Sequence, residues 1–330
     1  MGMGCKVWGM RFKEEGIGYR KGLSSRRRPG SPGQCSEGGD PGLRRDDIAS
    51  RVTRHASRIT LALALMLAGC DYIQAPFMEK TDDGGQTTDE VQRVLVIDFT
   101  GHTCKSCPKA HHTLGQLKDL YGDRVVPVAF HLGYFAKTQS GDKFTTDFRT
   151  PEGGLLEKYF EFVSFPIGTV QNIRTDGLIP HGTWPSAVGA LMSEKAPIKI
   201  GVKTEYLAGL HGLTADVDIT ALEAVAGTLK VAVWVVENSI TDWQKDEDFD
   251  PMDIPDYVHN HVFRTSMNGL WGETIGSAAN LEKGFTFTKE FSVALKTGWK
   301  AGNCQVVVVV YREEGMEVVQ VAGYRLPVAG

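Results

Sequence analysis

The two cysteines of Cys104-Lys105-Ser106-Cys107 have a spacing that by itself implies covalent chemistry. An apolar run, Val94-Leu95-Val96-Ile97, enters the stretch D-F-T-G-H-T-C-K-S-C-P, Asp98 to Pro108, and a helix-like segment from Lys109 to Leu120 leaves it. A strand-to-helix junction places Cys104 near a helix N-terminus, where unpaired N–H groups and the macrodipole favour a thiolate over a thiol. Lys105 adds positive charge in the same sense. The expected chemistry is reversible closure of a dithiol into a small disulfide ring, and the rival reading is a static disulfide in an oxidising compartment. The redox direction stays open, because it depends on the relative stability of the two forms.

Other residues compete for attention. His102, His111 and His112 flank the dithiol, and Cys107 and His111 lie four apart on one helix face, a donor set open to zinc or copper. His259 and His261 alternate in Y-V-H-N-H-V, so on one strand both would face the same side. Neither group has a recognised ligand spacing, and the expectation is no metal and no cofactor. Asp246-Glu247-Asp248-Phe249-Asp250 begins like a calcium loop, but Pro251 and Tyr257 stand where that loop needs Gly and Glu, leaving a solvated acidic loop. Cys304 reads as an inert buried thiol at the start of a core strand.

The elements that must position the dithiol follow from periodicity. Arg93–Phe99 reads as a buried strand, Lys105–Tyr121 as a helix, Arg124–Leu132 as a strand, Pro151–Phe162 as a helix, Pro166–Arg174 as a strand and Trp184–Glu194 as a helix. Gly133 to Thr150 is a polar insertion. Beyond Ala196 the pattern turns to strands: Ile198–Leu210, Thr214–Thr220, Thr228–Glu237, Tyr257–Thr265, Gly284–Ala294, Gln305–Arg312 and Glu317–Leu326. That succession predicts an antiparallel, Ig-like β-sandwich over 196–330, with Val307–Val310 in a central strand.

Charge divides the chain unevenly. Residues 1–58 carry 13 Lys+Arg against 6 Asp+Glu, while the remainder carries 23 against 34. A body that acidic argues against nucleic-acid binding, which depends on neutralising phosphates. Residues 1–50 are Gly- and Arg-rich without apolar periodicity and read as disordered or as an extension from a start codon placed too early. Residues 51–69 read as a signal segment, with Arg51, Arg54 and Arg58 before the apolar Ile59 to Ala68. Residues 70–90 then form a polar tether.

Leu67-Ala68-Gly69-Cys70 resembles the lipobox of bacterial lipoproteins. That resemblance implies cleavage before Cys70 and its acylation, and so attachment to a membrane in the cell envelope without a spanning helix. The run V-I-D-F followed by C-x-x-C, with Asp98 six residues before Cys104, resembles the thioredoxin superfamily. The resemblance implies a thioredoxin-like α/β domain over 91–195, preceding the β-sandwich. It further implies that Asp98 moves protons at Cys107 and that Pro166, in S-F-P-I-G-T-V, is a cis-proline facing the dithiol. An apolar strand would bury Asp98 and raise its pKa, making it a usable proton acceptor, where a bland reading makes it a capping carboxylate. Thr103, Lys105 and Phe165 would line the substrate groove, with Thr103 departing from the tryptophan usual before the first cysteine.

More narrowly, V-L-V-I-D-F-T-G-H-T-C-K-S-C-P-K-A-H, Y-V-H-N-H-V-F-R-T, G-L-W-G and G-N-C-Q-V-V-V-V-V-Y are similar to the twenty-eight-kilodalton outer-membrane lipoproteins first described as surface antigens. The implied protein is a lipid-anchored envelope protein, at the outer membrane, exchanging disulfides with protein or peptide thiols. The alternative is a surface binding or adhesion lipoprotein in which the dithiol is a static staple.

Overall fold

A computed structural model describes residues 86–87, 90–162, 164–276 and 279–327. The expectations for residues 1–50, for the signal segment 51–69, for lipidation of Cys70 and for most of the tether lie outside the described residues.

The strands are β1 (Val94–Thr100), β2 (Val125–His131), β3 (Ile167–Val170), β4 (Ile198–Leu207), β5 (Gly212–Ala221) and β6 (Leu229–Glu237). They continue as β7 (Ile240–Lys245), β8 (Asp253–His259), β9 (Val262–Ser266), β10 (Thr286–Ala294), β11 (Cys304–Arg312) and β12 (Val318–Arg325). The helices are α1 (Cys107–Tyr121), α2 (Pro151–Tyr159) and α3 (Trp184–Leu191). Each helix carries a proline in its first turn, where the missing N–H costs nothing. Thr150 caps α2 by accepting from the Gly153 N–H at 3.0 Å.

The expected succession, an α/β thioredoxin-like domain and then a separate Ig-like sandwich, is not what the chain forms. The fold is mainly β, and strands from both halves join one eight-stranded mixed sheet. Its order is β12-β11-β6-β9-β2-β1-β3, with Glu273–Thr274 pairing on β6. The junction is β9, antiparallel to β6 and parallel to β2 through Val262 opposite Ala129. All seven residues of β2 are buried, and without β9 that apolar strand would be an open edge. Periodicity locates β2 and β9 separately; it carries no information that they pair across some 130 residues.

Alternation along the strands divides the core. Leu95, Ile97 and Phe99 of β1, Val126, Val128 and Phe130 of β2, Trp234 of β6, Phe263 of β9 and Val307 and Val309 of β11 form one continuous apolar face. The opposite face is shared. Val94, Val96 and Val125 pack under Ala110, Leu114 and Leu117 of α1 and Trp184 and Val188 of α3. Val231, Val233, Val235, Val306, Val308 and Val310 pack against a second, four-stranded sheet of Gln86–Thr87, β4, β5 and β10. β6 is therefore apolar without interruption from Val231 to Val236 and β11 from Val306 to Val310, as strands covered on both faces must be.

The single strand expected over Tyr257–Thr265 is two. β8 pairs with β7 as a hairpin, the chain turns at His261 with φ of 58°, and β9 leaves for the large sheet. The expectation that His259 and His261 share one strand face is corrected with it. The strand β7 has no counterpart in the sequence reading.

Candidate functional site

β1 delivers the dithiol. Its residues alternate faces, so Asp98 and Thr100 lie on the α1 side with Val94 and Val96. The chain then turns at Gly101, where a Cβ would meet the Phe135 carbonyl carbon at 2.5 Å and the Ala136 nitrogen at 2.8 Å, so only glycine fits. Cys104 and Cys107 are joined as a disulfide, with Cα atoms 5.4 Å apart. Cys107 opens α1, and the Cys104 residue is only 2% exposed.

The hairpin β7–β8 covers this loop. Gln244 is fully buried and its side-chain amide donates to the carbonyl oxygens of Cys104 at 3.0 Å and Gly101 at 3.4 Å. The Lys245 N–H donates to the His102 carbonyl at 2.8 Å, and the Glu247 N–H to the Lys105 carbonyl at 2.9 Å. Lys105 and Lys109 place their ammonium groups 3.3 and 2.9 Å from Glu247, and together, Lys109 first, they hold its carboxyl below the usual range. The charge expected to favour a Cys104 thiolate is thus engaged by a carboxylate. The acidic loop binds lysines and turns on itself, Asp246 accepting from the Asp248 N–H at 3.0 Å.

On the other side lies β3. Antiparallel pairing puts Ile167 opposite Phe99 and Gly168 opposite Asp98, so Pro166 precedes the strand at the end of β1 from which the dithiol loop departs. The Phe165–Pro166 bond is cis. The Phe165 ring lies 5.8 Å from Phe135 and 5.3 Å from Phe162. Thr103 donates to the Phe135 carbonyl from both its N–H, 3.0 Å, and its hydroxyl, 2.9 Å. Thr103 and Phe165 therefore flank Phe135, while Lys105 turns to the hairpin.

Asp98 is fully buried, and neither carboxylate oxygen has a hydrogen-bond partner. The imidazole that approaches it is His111, whose Nε2 lies 3.4 Å from Oδ2 and 3.0 Å from the Thr100 hydroxyl. His111 Nδ1 is hydrogen-bonded to the Tyr257 hydroxyl at 2.7 Å. Burial pushes the Tyr257 phenol above its ordinary range, so it stays protonated.

Below α1 is a cavity of about 80 Å³ lined by His111, His131, His259, His261, Ala129 and Leu114 among others. Burial drives His131 well below the ordinary histidine range and His259 and His261 down to about 3, so all three are neutral. Both ring nitrogens of His131 are buried without a hydrogen bond. His102, also lowered by burial, donates from Nε2 to the Lys137 carbonyl at 3.1 Å, and His112 is an exposed residue bonded to Gln116. Among the described residues no group of three or more His, Cys, Asp or Glu side chains converges to hold a metal. Cys304 is buried, and burial pushes its thiol up to about 12.

The sequence reading named Cys104, Cys107, Asp98 and Pro166, which the fold brings to the end of β1, and gave no place to Gln244, His131, the pairing of Glu247 with the lysines or the contact of Tyr257 with His111. Tyr257 and the following histidines stood inside a segment read as one strand, as an alternating histidine pair and as part of a family likeness, and none of these readings brings Tyr257 to His111. Nothing in the sequence marks Gln244.

The profile of the family described as Outer membrane protein Omp28 matches residues 155–327. No curated protein matches the chain. Among solved structures, HBP35 of Porphyromonas gingivalis is 18% identical over 73% of this chain and 79% of that one, with a TM-score of 0.55, a likeness of fold alone. A domain of the outer membrane lipoprotein Omp28 from the same organism is 21% identical over 40% of this chain and 88% of its own, with a TM-score of 0.27. The matched residues include the β7–β8 hairpin and Pro166 but stop short of the dithiol. Matched over more than half its length, the chain belongs to the Omp28 family, and its place is the outer membrane of the cell envelope.

Proposed function

We propose that this Omp28-family protein is anchored by a lipid on Cys70 and performs thiol–disulfide exchange with protein or peptide thiols of the envelope through Cys104 and Cys107. Cys104 attacks a substrate disulfide, Cys107 resolves the mixed disulfide, Asp98 accepts the Cys107 proton, and Pro166, Thr103 and Phe165 border the approach. Kinship of the dithiol segment with the thioredoxin superfamily is part of this reading, supported by the order β1, C-x-x-C, α1 and by Pro166 at the start of β3.

The observation that carries the reading is Asp98. A disulfide spanning so few residues adds only about 2 kcal/mol by chain-entropy arguments. A buried polar group with no hydrogen-bond partner costs about 1–3 kcal/mol, and more if charged. A structural staple has no use for a carboxylate held without a hydrogen bond in an apolar strand, whereas a dithiol that gains and loses protons does.

A second reading has its own observation. The 2% exposure of Cys104, under three hydrogen-bonded contacts from the hairpin, suits a static staple in a surface binding protein. The equilibrium reduction potential of the pair separates the two. A value within about −120 to −270 mV, with Cys104 alkylated after reduction, supports exchange. A disulfide more stable than about −300 mV with an unreactive Cys104 removes the exchange reading and leaves the scaffold.

A further inference from the structure

Exchange at a buried dithiol needs a route for protons as well as electrons. When Cys107 resolves a mixed disulfide, its S–H proton leaves, its sulfur bonds to Cys104, the Cys104–substrate bond breaks, and the electron pair departs on the substrate sulfur as a thiolate. A carboxylate that takes that proton must pass it on before the next turnover. Asp98 is sealed: it is fully buried and no hydrogen bond leads away from either oxygen.

Two imidazoles lie on the α1 side of the sheet near it. His131 follows Ala129, the residue opposite Asp98, at alternate positions on β2, but its ring nitrogens are both buried and unpaired, so no hydrogen bond leads from it towards solvent. His111 differs. Its Nε2 faces Asp98 Oδ2 at 3.4 Å, its Nδ1 meets the Tyr257 hydroxyl at 2.7 Å, and its side chain is 19% exposed. A neutral imidazole accepts at one nitrogen and releases from the other, which is the property a relay requires. The Thr100 hydroxyl, 3.0 Å from Nε2, can donate or accept and so serves either tautomer.

We propose that His111 is the proton relay between the Asp98 carboxylate and solvent during exchange at Cys104–Cys107, with Tyr257 holding its ring in place. The proposal rests on the exchange reading. His111 acts through Asp98 and is a positioning and relay residue, not one that touches the reacting sulfurs. The groups facing it are Asp98 and Thr100 from β1 and Tyr257 from β8. His131, His259 and His261 share the cavity with it and are held neutral by burial, so they do not compete for the proton.

The test uses the full chain with Cys5, Cys35 and Cys70 changed to Ser and Cys304 to Ala, so that Cys104 and Cys107 are the reacting thiols, reduced and mixed with 5,5′-dithiobis(2-nitrobenzoate). Attack by Cys104 releases one thionitrobenzoate, and resolution by Cys107 releases the second. In H111A the first phase keeps its rate, while the second slows by at least about tenfold at neutral pH. Added imidazole restores the second phase, because it fills the vacated space and carries the proton. H111Q, which conserves volume, shows the same slow second phase, and Y257F lies between. A second phase unchanged in H111A and H111Q overturns the relay. So does a slowed phase that imidazole does not restore, since a merely structural loss is not rescued that way. If the unaltered protein releases no thionitrobenzoate, the exchange reading itself fails and the relay falls with it; a reactive parent with unaffected His111 variants removes the relay alone.

Discussion

The side-chain amide of Gln244 donates to the carbonyl oxygen of Cys104 at 3.0 Å, joining β7 to the dithiol loop across 140 residues of sequence. It also reaches the Gly101 carbonyl, so one buried amide holds both ends of the turn that presents Cys104. Gln244→Ala removes the side-chain donor from these carbonyls, which keep only the turn hydrogen bonds from the Cys104 and Cys107 N–H groups, at a cost of about 0.5–1.5 kcal/mol for each bond lost. The expected outcome is a lower denaturation midpoint together with faster iodoacetamide labelling of reduced Cys104. Unchanged labelling would show that the hairpin does not govern access to the sulfur.

Gly101 lies where the backbone of Phe135 passes closest to the loop. In Gly101→Ala the new methyl group must displace main chain rather than a flexible side chain, an overpacking cost of about 1–3 kcal/mol or more. Chemical denaturation should show that loss. A Gly115→Ala control, on the α1 surface with open space around it, should be neutral or slightly stabilising.

Acid should destabilise the protein through its buried histidines. The folded pKa of His259 is about 3 against an ordinary 6.5, with burial as the main cause, and His131 is shifted in the same direction. Between these values the unfolded chain binds protons that the folded chain refuses, so stability is full above about pH 6.5 and falls as pH drops towards 3. Each such histidine contributes a loss of about 1.4 kcal/mol per pH unit in that window. Urea midpoints at pH 7, 6 and 5 measure it, and His259→Gln should flatten the slope by one histidine's share. An unaltered slope in that variant would contradict the placement of His259.

Arg264 and Glu237 form an ion pair between β9 and β6, Nε to Oε2 at 2.8 Å, with both residues nearly inaccessible. The other Glu237 oxygen accepts from the Lys300 N–H at 2.9 Å. Arg264→Met strands a buried carboxylate and should cost about 3–5 kcal/mol. The double variant Arg264→Met, Glu237→Gln should recover part of that loss, measured as a double-mutant cycle.

Local pattern was enough for the dithiol and its immediate supports. The spacing of Cys104 and Cys107, the apolar run of β1, the first-turn prolines of the helices and the valine run of β11 are all written in neighbouring residues, because strand and helix periods are local properties. The burial of Asp98 followed from its place in such a run.

What lay beyond reach was pairing at a distance. No periodicity distinguishes a β9 that stays in its own sandwich from one that lies against β2, since both bury the same Val262 and Phe263. The turn at His261 hid inside an alternating segment that reads equally well as one strand. The amphipathic β7, with no apolar run to mark it, turned out to carry the amide that closes over Cys104. The sequence by itself determined a disulfide-forming pair at a strand-to-helix junction and a β-rich remainder. Only the tertiary structure decided that the remainder joins the same sheet and covers the pair, because burial and hydrogen bonding between remote segments are settled by the packed whole.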